Sequence, residues 1–221
     1  MKISIKISLA ASAAFAVLSA PALAATSLIS NGSFETAPAG NSILPGNDNT
    51  IPGWTTVNEG VEWFTSGTSG TGPAHDGISM IDLAWFTSNG TPGGGIQQSF
   101  ATTPGQTYVL TFYGINTNSF GRTGGGVVET LIDGNALASV NVVRFQTSWA
   151  STSDWQPYTQ SFVAAATTTT LTFKNTQNAL EHFAYIDSVS VVAAVPEPET
   201  YALMLAGIGL VHYAARRRKR S

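Results

Sequence analysis

Few residues in this chain could carry acid–base or nucleophilic chemistry. The 221 residues include three histidines and no cysteine, so thiol catalysis and cysteine-ligated metals are excluded. His75 adjoins Asp76, and Asp82 follows closely, an arrangement that a metal ion or an acid–base pair would need. We interpret Asp76-Gly77 as a turn and Asp82 as a strand-end carboxylate. No serine stands in a Gly-x-Ser-x-Gly elbow and no carboxylate pair is singled out, so we expect a protein that is not an enzyme.

Five tryptophans are the other side chains with a chemical use, because an aromatic face can stack on a sugar ring or pack in a core. Trp54 follows Pro52-Gly53, and we assign it to the core. Trp85, Trp149 and Trp155 lie in polar, loop-like stretches. These three are the sequence's candidates for a glycan-binding surface, with packing as the alternative for each of them.

The charge of the chain is distributed unevenly. Seven of the ten basic residues lie in the first 24 and last 6 residues, so residues 25–194 hold three basic and eleven acidic side chains, a formal charge of −8. A domain of this charge does not attract nucleic acid or an anionic surface. Divalent cations and neutral glycans are better partners.

The elements that must position these side chains read as strands. Residues 107–113 place Tyr108, Leu110 and Phe112 on one face, as a half-buried strand requires. Two apolar runs, 127–132 and 136–143, flank Asp133-Gly134 and predict a hairpin with a tight turn. Further strands are predicted at 78–83, 96–100, 168–173 and 185–192. No long helical period occurs between 25 and 194, so the sequence predicts an all-β two-sheet sandwich or barrel.

Both ends of the chain look like processing signals rather than parts of that domain. Lys2 and Lys6, an apolar run over 7–18 and the small residues Ala22-Leu23-Ala24 predict a cleavable N-terminal signal peptide, 1–24. At the other end, 195–221, a Pro-Glu-Pro triplet precedes an apolar run over 201–215 and a basic tail over 216–220. The run predicts a single transmembrane helix that rises roughly 22 Å and is short for a bilayer core of about 30 Å.

This order of triplet, short helix and basic cluster resembles the PEP-CTERM sorting signal of Gram-negative bacteria. The matching residues are Pro196, Glu197, Pro198, Arg216, Arg217 and Arg218. The resemblance implies export through the inner membrane, a membrane-anchored precursor and processing near the triplet by an exosortase-type protease. The mature form would then lie at the cell surface or outside the cell. A permanent anchor that is never cut is the alternative.

Residues 28–192 resemble the choice-of-anchor C family and its relatives among galactose-binding-like jelly rolls, which include many carbohydrate-binding modules. Short segments carry this resemblance in order, among them 28–35, 51–54, 75–77, 95–100 and 184–191. The resemblance implies a jelly-roll β-sandwich. It also implies a structural calcium ion between the first and last strands, held by Glu35 and Asp187 together with carbonyl oxygens. Hydrogen bonds from backbone N–H groups to these two carboxylates are the alternative.

The sequence as a whole predicts an exported, non-catalytic protein of the extracellular polysaccharide or biofilm matrix that binds carbohydrate. A structural matrix protein without a small ligand is the first alternative. A carbohydrate-active enzyme is the second.

Overall fold

The structure is a computed structural model, and it describes residues 26–36, 40–66, 71–84, 93–118, 121–142, 144–145, 150–178, 182–194 and 198–218. The predicted signal peptide, Trp85, Trp149, Pro196 and Glu197 lie outside the described residues. By its contacts the chain divides into a unit over Ala25–Ala194 and a second unit that contains the C-terminal residues. The two are described separately.

The first unit is an all-β sandwich of two sheets. Its strands are β1 (Ser42–Leu44), β2 (Thr55–Val57), β3 (Val61–Thr65), β4 (Ser79–Asp82), β5 (Gly95–Ala101), β6 (Thr107–Thr117), β7 (Gly126–Ile132), β8 (Asn135–Val142), β9 (Arg144–Phe145), β10 (Gln156–Val163), β11 (Thr168–Asn175) and β12 (Tyr185–Ala193). The seven-stranded sheet runs β1-β3-β4-β12-β6-β10, with β9 beside β6, and the five-stranded sheet runs β2-β5-β11-β7-β8. All pairs are antiparallel except the two-residue pair of β6 with β9.

The main core lies between the inner faces of the two sheets. Tyr108, Leu110 and Phe112 point into it from β6, as their alternation predicts. Trp54 is buried in it, which confirms its assignment to the core, and its ring lies 5.3 Å from Phe34 between centroids. The alternation along each strand therefore fixes which side chains fill this space.

The predicted hairpin is confirmed, with β7 and β8 joined by Asp133 and Gly134. Both turn residues have positive φ, 50° and 78°, as the primed two-residue turn requires. Five other predicted strands are present with shifted ends. The sequence did not predict β1, β2, β3, β9 or β10, because the first four have five residues or fewer and β10 carries mostly polar side chains.

The C-terminal helix α1 runs over Pro198–Arg218. It begins at the last residue of the Pro-Glu-Pro triplet, where a proline fits the first turn, and it extends beyond the predicted 201–215 at both ends. No helix in the described part of the chain is both long and apolar enough to cross a membrane, so the predicted transmembrane span is not confirmed. The apolar run is shorter than a bilayer core, and charged residues follow it directly.

Candidate functional site

The outer face of the seven-stranded sheet carries a second apolar cluster, separate from the main core. It is formed by side chains that point away from the inner face and by residues from the loops around the sheet. Its buried members are Phe64, Ala74, Met80, Ala84, Ile115, Trp155, Phe183 and Tyr185. Loop residues rather than another sheet cover this face. At its rim, side chains are exposed to solvent while the strands of the sheet hold them in place.

At this rim His75, from the loop between β3 and β4, stacks on Tyr113 of β6. Their ring centroids lie 3.5 Å apart with the planes 17° from parallel, and both residues are half-buried. The edge of the Trp155 ring system approaches the imidazole, with centroids 6.4 Å apart. Burial lowers the pKa of His75, while the charge of Asp76 raises it. The imidazole and phenol thus form one ordered aromatic unit at the surface.

Ser188 fixes the orientation of the imidazole. Its hydroxyl lies 2.7 Å from His75 Nδ1. Ser188 has a φ of +50°, and the pairing of β12 with β6 shifts register between Asp187 and Ser190. A β-bulge of this kind redirects a side chain that a regular strand would place elsewhere. The bulge is therefore the local cause of the contact between Ser188 and His75.

Two carboxylates hold the loop that carries His75. The backbone N–H groups of His75 and Asp76 donate to Asp187 Oδ2 at 2.9 and 3.0 Å. The N–H groups of Ile78 and Ser79 donate to Glu35 Oε1 at 2.9 and 2.7 Å. Burial raises the pKa of Asp187 to about 8, although its bonds from backbone N–H groups act to lower it. Two acids that lie far away in sequence thus fix the backbone of residues 75–79, the part of the loop that precedes β4.

A buried group of ionisable side chains lies on the same outer face. Glu62 and Tyr185 are the cross-strand neighbours of Asp82 on the two sides of β4. Asp82 is 0 % exposed; its Oδ1 accepts hydrogen bonds from the N–H groups of Ala84 (2.8 Å) and Ala184 (3.4 Å). Its Oδ2 has no hydrogen-bond partner among the described residues.

Burial dominates the electrostatics of this group. It raises the pKa of Asp82 to about 7, and the charge of Glu62 raises that pKa further, while the bond from Ala84 and the charge of Arg122 lower it. Burial also raises the pKa of Glu62, again against Arg122. The Arg122 guanidinium lies 4.3 Å from the centre of the Phe183 ring and donates to the carbonyl of Ala84. Asp82 and Glu62 therefore both interact electrostatically with the Arg122 guanidinium, and burial makes it unfavourable for both carboxyl groups to be ionised.

The predicted site residues have different outcomes. Glu35 and Asp187 both accept bonds from backbone N–H groups, the alternative considered for them, and no group of three or more metal-ligating side chains occurs in the part of the chain that the structure describes. The calcium ion stays a prediction. Trp155 was a candidate for the glycan-binding surface with packing as the alternative, and the structure shows the packing: it is 2 % exposed, and its Nε1–H donates to the carbonyl of Pro73 at 3.0 Å. Glycan binding by Trp85 and Trp149 stays a prediction.

Sequence reasoning missed Tyr113 and Ser188 as partners of His75. Tyr113 was predicted only as the last residue of its strand, and Ser188 only as part of the final strand. The sequence signals that point to these residues are a histidine beside a predicted turn and a strand that presents side chains on both faces of its sheet. Their actual contact depends on strand order, which the alternation of side chains does not give.

A family model described as "Protein of unknown function (DUF642)" matches residues 27–192, and the PEP-CTERM protein-sorting motif matches residues 194–219. The second match confirms the resemblance drawn from the tail. No curated protein matches the chain in sequence.

Similar solved structures include two of a cyclase from Fischerella sp., one of them the apo form. That form has a TM-score of 0.53 at 17 % identity, covering 77 % of this chain and 97 % of the cyclase. The other, from Fischerella sp. TAU, has a TM-score of 0.52 at 18 % identity, covering 79 % and 100 %. TmCBM61 in complex with β-1,4-galactotriose has a TM-score of 0.48 at 15 % identity, covering 76 % and 99 %. At such identities the cyclase likeness shows the fold alone.

Proposed function

The chain belongs to the DUF642 family of proteins of unknown function, and from the residues of the chain itself we propose that it is an exported protein that binds uncharged glycan. The binding surface in this proposal is the rim of the outer face formed by His75, Tyr113, Ser188 and Asp76. The observation that carries the proposal is the half-exposed stack of His75 on Tyr113, fixed by the Ser188 hydroxyl.

The chemistry of this rim fits a sugar. A sugar ring offers an apolar face of C–H groups and an edge of hydroxyls, so it is bound best by an ordered aromatic surface beside short polar side chains. The His75 imidazole and the Tyr113 phenol supply the aromatic surface, and Ser188 and Asp76 supply the polar side chains. Because Asp187 fixes the backbone of this loop, little conformational entropy is lost when a ligand binds.

The charge of the domain indicates which class of glycan it would bind. Lys174 Nζ lies 3.6 Å from a Glu129 oxygen in the five-stranded sheet, and Arg122 is buried beside Phe183. Because Lys174 belongs to the other sheet and Arg122 is buried, neither of these two bases favours the carboxylate of an acidic sugar at the rim. With eleven acids against three bases in residues 25–194, neutral glycans are favoured over uronic acid polymers.

The sorting motif supports the location in this proposal. The PEP-CTERM motif supports an exported protein with a membrane-anchored precursor in a Gram-negative bacterium. In this proposal the predicted signal peptide directs export, and after processing by an exosortase-type protease the mature protein lies at the cell surface or outside the cell. We propose extracellular polysaccharide as the glycan, so that the protein acts in the extracellular matrix. The structural matrix protein without a ligand and the carbohydrate-active enzyme remain as outcomes of the test.

The test is glycan profiling of the purified protein with His75→Ala and Tyr113→Ala. We expect the wild type to retain neutral glycans and both variants to lose about five- to tenfold in affinity, since an aromatic stacking contact is worth about 1–1.5 kcal/mol. The matched control is His182→Ala, because His182 is a second half-exposed histidine whose Nδ1 bonds a carbonyl, that of Gly125. A wild type that binds no glycan, or a loss equal in the control, would overturn the proposal; glycan turnover would support the enzyme.

A further inference from the structure

A hydroxyl and an imidazole form a hydrogen-bonded pair at the rim of the outer face. Ser188 Oγ lies 2.7 Å from His75 Nδ1, a distance at which a general base can take a proton from a nucleophile. Both residues are half-buried, so the domain supports the pair while it stays open to solvent. In the glycan-binding surface this contact only orients the imidazole, and that role does not use the reactivity of the hydroxyl.

The backbone at Ser188 is held in a conformation that serine rarely adopts. Its φ is +50°, and it lies in the bulge between Asp187 and Ser190 of β12. The other non-glycine residues at positive φ in the described part of the chain are asparagines, an aspartate and a phenylalanine, so Ser188 alone among them carries a hydroxyl. Strained residues of this kind are concentrated at functional sites, and a nucleophilic serine is often presented on a sharp, strained turn. The bulge therefore exposes the Ser188 hydroxyl as a nucleophile requires.

The surroundings of His75 suit a general base. The stack on Tyr113, with ring centroids 3.5 Å apart, holds the imidazole, and the bond from its N–H to Asp187 holds its backbone. A third group that orients the base in this way is a common feature of activated nucleophiles. The imidazolium that forms on proton transfer is stabilised by the aromatic face of Tyr113 and by the negative charge of Asp76, which acts on this ring.

We propose that Ser188 is a nucleophile with His75 as its general base, and that the pair removes acyl groups from O-acylated neutral sugars. The sequence did not predict this activity, and its substrate class rests on the proposed glycan binding. Ser188 Oγ attacks the ester carbonyl carbon, and its proton passes to His75 Nδ1, which requires the tautomer that is protonated on Nε2. The bond between the acyl carbon and the sugar oxygen breaks, and this oxygen takes the proton from Nδ1. Water then attacks the acyl-serine and gives a proton to Nδ1, which returns it to Ser188 Oγ as the carboxylic acid leaves.

The charge and the exposure of the rim favour an uncharged ester as the substrate. Residues 25–194 hold eleven acids against three bases, which disfavours phosphate esters and other anionic substrates. Because the pair is half-buried, water donates to the developing oxyanion and stabilises it less than fixed donors in a dry site would. We therefore expect a slow reaction on an ester, which is more reactive than an amide. The glycosidic bonds stay intact, since their hydrolysis uses a pair of carboxyl groups.

Covalent trapping tests the pair without any glycan. The purified full chain is treated with an uncharged fluorophosphonate, which reacts with activated serine hydroxyls, and mass spectrometry locates the adduct. We expect one adduct, at Ser188, and a rate of formation about 100-fold or more lower in His75→Gln, because general-base catalysis contributes about 10²–10⁴-fold. Glutamine can bond the hydroxyl but cannot take its proton. The matched control is Ser190→Ala, a half-buried serine of the same strand, which should leave the rate unchanged.

Release of acetate from an O-acetylated neutral glycan tests the substrate class. We expect release by the wild type and by the control His182→Ala, whose half-exposed imidazole bonds a backbone carbonyl, and none by Ser188→Ala. The inference is overturned by a wild type without a Ser188 adduct, by an adduct that forms equally fast in His75→Gln, or by the absence of acetate release. Glycan binding without an adduct overturns this inference alone, whereas a Ser188 adduct in a protein that binds no glycan overturns the proposed glycan ligand.

Discussion

Replacement of Asp82 by asparagine should stabilise the sandwich at neutral and alkaline pH. Asp82 is 0 % exposed, its Oδ2 has no hydrogen-bond partner in the described structure, and Glu62 lies opposite it on β3. Burial raises its pKa from 3.8 to about 7. Asparagine has nearly the shape of the protonated acid and keeps an oxygen for the bonds from Ala84 and Ala184. It also leaves Glu62 and Arg122 as a matched pair of charges.

The sign follows from the direction of that shift. The folded state holds the proton more tightly than the unfolded state, so the stability contributed by protonated Asp82 is fully present below about pH 4 and is lost as the pH rises through about 7. A shift of roughly three units corresponds to about 4 kcal/mol. Wild type and Asp82→Asn should therefore be similar in stability near pH 4, and the variant should be more stable by up to about 4 kcal/mol near pH 8.

Urea unfolding of both proteins across this pH range measures the difference directly. The matched control is Asp133→Asn, because Asp133 is an exposed aspartate in the turn between β7 and β8, at a positive φ that asparagine also accepts. At pH 8 this variant should differ from wild type by much less than Asp82→Asn does, because its side chain is exposed. The reasoning is refuted if Asp82→Asn is less stable than wild type at pH 8, or if their difference is constant from pH 4 to 8.

Three further predictions concern the loop and the tail. If Glu35 and Asp187 hold calcium, saturating EDTA lowers the melting temperature and added calcium restores it; no shift under chelator removes that hypothesis. Gly77→Ala should lower the free energy of unfolding in urea by about 2–3 kcal/mol, because its φ is +67° and the added Cβ would lie 2.3 Å from the Glu35 carboxyl carbon. The control Gly105→Ala, at φ +79° in open space, should lower it by about 1 kcal/mol. Equal losses in the two variants would contradict the role of Glu35. Mass spectrometry of the exported protein should find a C-terminus within 195–199, and an intact Arg220-Ser221 end would indicate a permanent anchor instead.

The sequence by itself determined the features that depend on neighbours along the chain. The sorting tail is a linear order of proline, apolar run and basic cluster, and it was recognisable without any tertiary contact. The alternation of Tyr108, Leu110 and Phe112 and the Asp133-Gly134 turn likewise identified a core-facing strand and a hairpin. Local conformational preference and side-chain periodicity are sufficient for such elements.

Only the tertiary structure decided the features that depend on which strands are neighbours. His75 and Ser188 are 113 positions apart, and they meet because a bulge in β12 lies beside the loop after β3. Trp155 looks like a surface residue in its polar segment, yet a loop carbonyl and the second apolar cluster bury it. The exposed edge of β10 is equally invisible in the sequence, because a strand is an edge only when no other strand follows it in the sheet. Strand order is set by the sum of long-range packing contacts, and no local pattern encodes it.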